Sequence, residues 1–67
     1  MKSLKQLRQD PRIYEIIEQD TEECEHKYAV NLEDGYTFED GYSGLEFCDT
    51  VAEINKLMTE VIPRKEW

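Results

Sequence analysis

The sequence predicts a single α+β domain over residues 1–67, and three observations predict it. Apolar residues recur at helical spacing near both ends, they alternate with polar residues between Cys24 and Phe47, and two Asp-Gly pairs punctuate the alternating stretch. A chain of 67 residues buries only about 60% of its unfolded surface, which leaves room for one core and no separate catalytic domain. The expected architecture is an N-terminal helix, a three-stranded antiparallel β-meander and a C-terminal helix packed on one sheet face.

Ser3 with Gln6 three residues on is a capping-box pattern, and Leu4 and Leu7 then share one face of a short helical segment. Asp10-Pro11 is a second start signal, with Asp as cap and Pro at the first helical position. Ile13, Ile16 and Ile17 follow at helical spacing, with Glu15, Glu18 and Gln19 toward water, so a helix is expected at about 11–19. The two segments are either separate or one helix kinked at Pro11. From Cys24 the period becomes two: Cys24, His26, Tyr28, Val30 and Leu32 alternate with Glu25, Lys27, Ala29, Asn31 and Glu33. Asp34-Gly35 supplies a turn, and Tyr36 and Phe38 resume the alternation, which predicts a hairpin. Asp40-Gly41 is a second turn, after which Leu45 and Phe47 face one way and Glu46 the other, with Gly44 suited to a bulge. The echo of Glu33-Asp34-Gly35-Tyr36 in Glu39-Asp40-Gly41-Tyr42 is two similar turns rather than a structural repeat. Thr50 and Glu53 form another capping-box pattern. Val51, Ile54, Leu57, Met58, Val61 and Ile62 then keep a helical period to Pro63, predicting a helix over 50–62. The tail to Trp67 is expected to be loose unless Trp67 folds back onto the sheet.

Hydrophobic residues are 39% of the chain and include seven aromatics, more core-forming material than a disordered acidic tail carries. Sixteen acids against eight cations give a net charge of −8, which repels phosphate backbones and anionic membranes. The charge is segregated. Residues 1–12 carry a net +3, residues 13–49 a net −11 with Lys27 as the only cation, and residues 50–67 balance. Two readings of the acidic stretch stand: a solvated face that serves solubility, or a surface complementary to a basic groove on a partner protein. No apolar run has the length of a secretory signal or a membrane span, and two cysteines are too few for a secreted disulfide framework, so a soluble cytoplasmic protein is expected.

Candidate chemistry is sparse. Cys24, His26 and Cys48 carry metal-capable atoms, with Cys24 and His26 roughly 6–7 Å apart on one strand face, but no fourth ligand completes a zinc tetrahedron. A Cys24–Cys48 disulfide is disfavoured, because in a meander they fall at opposite ends of the sheet. A Cys24–His26 thiolate pair lacks an oxyanion donor or orienting group, and the Asp34 and Asp40 turns place Tyr36 and Phe38 where calcium ligands belong. No enzymatic activity, cofactor or metal is expected. Tyr28 and Tyr36 are assigned to the core, Tyr14 and Tyr42 to the surface as contact residues.

A short acidic chain without a catalytic constellation, with segments such as LRQDPRIYEI, NLEDGY and DTVAEINKLM, resembles the small accessory proteins of phages and mobile elements. Among these are the anti-CRISPR and DNA-mimic inhibitors. That resemblance implies a protein that occupies the basic, nucleic-acid-binding surface of a host complex without binding nucleic acid itself. It implies that Glu33, Asp34, Glu39, Asp40 and Glu46 stand in for phosphates, with Tyr42 beside them. The alternative is an assembly module, a homodimer joined through a sheet edge or a helix face.

Overall fold

The computed structural model describes residues 1–38 and 44–64. Along the chain they form α1 (Leu4–Arg8), β1 (Ile13–Glu18), β2 (Tyr28–Leu32), β3 (Tyr36–Phe38), β4 (Leu45–Cys48), α2 (Val51–Met58) and β5 (Val61–Pro63). The α+β class holds, with antiparallel sheets. The arrangement of strands differs from a meander: β1, β2 and β4 make one antiparallel sheet in that order, and β3 pairs with β5 in a second.

The capping box at Ser3 is complete, whereas at Thr50 only the side-chain cap forms, the Glu53 carboxylate accepting instead from the Asp49 N–H at 3.4 Å. In α1 the Gln6 N–H donates to Ser3 Oγ at 3.2 Å and the Ser3 N–H donates to Gln6 Oε1 at 2.9 Å, satisfying two donors that a helix start leaves unpaired. In α2 the Glu53 N–H donates to Thr50 Oγ1 at 3.1 Å.

The helix expected at 11–19 is instead strand β1. Asp10 does act as a cap, its carboxylate accepting from the Arg12 N–H at 2.9 Å, and the Ile13 N–H closes one turn on the Asp10 carbonyl at 3.0 Å. The chain then extends, because Ile13, Ile16 and Ile17 are β-branched and β2 offers a ladder. Pairing of Ile13 with Leu32 and of Glu15 with Asn31 leaves one extra residue on β1, a bulge. The bulge brings Ile13 and Ile16, three apart, to the same side, which is how a strand reproduces a helical apolar spacing.

The hairpin expected between β2 and β3 is also absent. The 33–36 turn exists, with the Tyr36 N–H donating to the Glu33 carbonyl at 3.0 Å, but it sends the chain out of the larger sheet. Both sides of β2 are taken by β1 and β4, so β3 finds its partner in β5. Those β5 residues were expected to end the last helix. The helix stops at Met58, and Val61 and Ile62 join Phe38 and Thr37 across the small sheet. In the alternating stretch from Cys24, the regular ladder begins at Tyr28. The second Asp-Gly turn and Trp67 lie outside the described residues.

One buried cluster organises the fold. Ile13, Ile16, Tyr28, Val30, Leu32 and Cys48 line the inner face of the large sheet. Leu7 of α1, Phe38 of β3, and Ile54 and Met58 of α2 complete the cluster. Leu7, Val30 and Ile54 are at most 1% exposed. The opposite face of that sheet is the feature that positions the site.

Candidate partner-binding face

Cross-strand register fixes which side chains share the outer face. Ile17 of β1 lies opposite Ala29 of β2, which lies opposite Phe47 of β4, so these three form a stripe across the sheet. Next to it, Glu15, Asn31 and Leu45 form a second row. Ala29 is 3% exposed because its larger neighbours cover it, whereas Ile17, Leu45 and Phe47 are 44%, 43% and 46% exposed. The expected alternation of β4, with Leu45 and Phe47 on one side and Glu46 on the other, holds, and its sense is set by register: Cys48 pairs with the buried Tyr28 and Glu46 with the buried Val30, which turns Leu45 and Phe47 outward.

At one end of this face, Tyr14, Asn31, Leu32, Glu33 and Asp34 surround a recess of about 210 Å³. The bulge puts Tyr14 there, 64% exposed. Glu33 and Asp34 are both exposed, and the ion pairs of the described residues use other carboxylates: Asp10, Glu18 and Asp49. At the other end, Gln19, Cys24, Glu25, His26 and Phe47 line a shallower recess of about 340 Å³. There His26 stacks on Phe47, centroids 5.8 Å apart and planes 22° from parallel, and its Nδ1 lies 3.2 Å from Asp49 Oδ1.

Of the residues expected to contact a partner, Glu33 and Asp34 sit together at the Tyr14 recess. Glu46 does not join them; it is half-buried on the inner side, near Cys48. Glu39, Asp40 and Tyr42 lie outside the described residues. Sequence reasoning missed Ile17, Leu45 and Phe47 as surface groups. One signal was available: Ile16 and Ile17 are adjacent, and in a strand adjacent residues face opposite sides.

The cysteine geometry also needs correction. Cys48 pairs with Tyr28 at the start of β2, so the Cys24 segment and Cys48 share one end of the sheet, because β4 runs antiparallel beside β2 rather than two strands away. Both thiols are free. Burial, followed by the charges of Glu53, Glu46 and Asp49, pushes the Cys48 thiol up to about 11, so it stays protonated at neutral pH and is a poor nucleophile. Among the described residues no three His, Cys, Asp or Glu side chains are grouped to hold a metal ion.

The basic N-terminal region does structural work on other surfaces. Arg8 donates to the Ile16 carbonyl at 3.1 Å and lies 3.8 Å from Glu18, covering the free side of β1. Arg12 grips the buried Asp10 through two bonds of 3.0 and 2.7 Å and reaches the Met58 carbonyl at 3.4 Å, tying the 10–13 turn to the end of α2. This guanidinium holds the Asp10 carboxyl down to about 2. Nearby, Asn55 clamps the Lys2 backbone, accepting from its N–H at 2.9 Å and donating to its carbonyl at 2.8 Å.

No family model, curated protein or solved structure matches the chain. Among the described residues no helix is long and apolar enough to cross a membrane.

Proposed function

We propose that this protein is a non-enzymatic binding module that docks on a basic surface of a nucleic-acid-handling protein or complex and inhibits it by standing in for a polyanion. The observation that carries the reading is the recess where Glu33 and Asp34, exposed and outside the ion pairs of the described residues, lie beside the exposed ring of Tyr14. The net −11 of residues 13–49 supports it, since such a field speeds encounter with a basic groove and keeps the protein off DNA. A second reading, a homodimer joined through the outer sheet face, draws on the exposure of Ile17, Leu45 and Phe47.

The test is affinity capture from a bacterial lysate, with the parent protein and the Glu33→Lys/Asp34→Lys variant as baits of matched circular dichroism. The parent is expected to retain nucleic-acid-handling proteins that duplex DNA or raised salt releases, and the variant to retain markedly less. Equal retention by both baits, or retention indifferent to DNA, overturns the proposal.

A further inference from the structure

We infer that the docking surface is the outer face of the β1-β2-β4 sheet as a whole. Its occupant is a partner segment that carries an arginine or lysine close to a cluster of apolar side chains. The inference rests on the proposed binding function and adds to it the surface and the chemistry of the segment recognised.

Three features fit one such occupant. The centre is apolar: Ile17 and Phe47 flank Ala29, with Leu45 beside Phe47, and at 43–46% exposure the three larger side chains still hold much of their surface in water. Covering them removes that surface from water, a gain that salt does not screen. The end is anionic and aromatic: the Tyr14 recess of about 210 Å³ offers a ring face with the Glu33 and Asp34 carboxylates. That combination suits a guanidinium or ammonium group through ion pairing and cation–π contact. The spacing is set by β2, where Ala29 and Glu33 are four residues apart, so the apolar centre and the cation recess are separated by roughly 13 Å, about two and a half turns of a partner helix.

Charge also selects against a second copy as the occupant. Residues 13–49 hold twelve carboxylates and one lysine, so a copy docking through its own sheet face brings only Lys27 as countercharge to Glu33, Asp34 or Glu15, while Arg8 and Arg12 are already paired with Glu18 and Asp10. That lysine, Lys27, already lies 5.4 Å from the centroid of the Tyr28 ring. A basic amphipathic segment supplies what a copy lacks.

Two synthetic helical peptides serve as probes: one with leucines along one face and arginines on the other, and its counterpart with every leucine replaced by serine. Binding is read by fluorescence anisotropy and by amide shifts of the labelled full chain, with sedimentation of the chain alone. The leucine peptide is expected to bind about tenfold more tightly than the serine peptide, shifting the amides of Ile17, Ala29, Asn31 and Phe47. Phe47→Ser, and separately Ile17→Ser, should each erase most of that advantage with circular dichroism unchanged. Glu33→Lys/Asp34→Lys should weaken both peptides. Equal binding of the two peptides overturns this inference and leaves the polyanion reading standing. Dimerisation of the chain that Phe47→Ser abolishes makes a second copy the occupant and overturns it as well. Failure of both peptides to bind overturns both readings.

Discussion

Ile16 and Ile17 are neighbours in one strand, identical in chemistry, and differ from 6% to 44% in exposure because they face opposite sides of the same sheet. The inner side is closed by two helices and the small sheet; among the described residues the outer side is left open. Equal β-propensity therefore says nothing about which isoleucine stabilises the fold and which is free to meet a partner. The layer packed against each face decides that, and the molecule divides accordingly: inner face for stability, outer face for recognition.

The largest effects should fall on the inner side. Ile54→Ala and Val30→Ala, both at positions 0% exposed, are expected to cost on the order of 2–4 kcal/mol in denaturant unfolding through lost burial and residual cavities. Neutral midpoints for both would mean that the faces are misassigned.

Next comes the Asp10–Arg12 pair, which anchors the inner layer. With its carboxyl held at about 2 in the folded protein against 3.8 unfolded, Asp10 adds stability that is fully present above about pH 4. As pH falls toward 2 the proton binds the unfolded chain more tightly, and about 2 kcal/mol is lost. Asp10→Asn should flatten that part of the stability-versus-pH curve. An unchanged acid limb in the variant would assign the acid sensitivity elsewhere.

A smaller effect is expected at the α2 cap. Thr50→Ala should cost about 1 kcal/mol, because the Glu53 N–H loses its side-chain acceptor. A thermal melt matching the parent would show that water replaces the cap without loss.

The smallest stability change should come from the outer face. Leu45→Ser is expected to cost less than about 0.5 kcal/mol, since the side chain is 43% exposed. A loss comparable to that of Ile54→Ala would show that the outer face is covered in solution.

The features legible in the sequence were local. Ser3 with Gln6 and Thr50 with Glu53 name both partners within one helical turn, and both caps form. Asp10-Pro11 was legible as a start signal, yet the contact it makes closes a single turn, and pairing with a strand some fifteen residues later sets the conformation of the residues after it. Val61 and Ile62 continue a helical period by coincidence; their strand partners, Phe38 and Thr37, lie too far along the chain for any window to reveal. The candidate site divides in the same way. Glu33 and Asp34 could be assigned to an exposed turn from their neighbours alone. The company of Tyr14 depends on a bulge, and the outward turn of Phe47 depends on the register of β4 against β2.

The division between the two faces is tested most directly by comparing Ile16→Ala with Ile17→Ala in urea unfolding under identical conditions. Ile16→Ala is expected to lose on the order of 2–4 kcal/mol and Ile17→Ala less than about 1 kcal/mol, with circular dichroism of the second unchanged. Equal losses, or a larger loss at Ile17, would contradict the division.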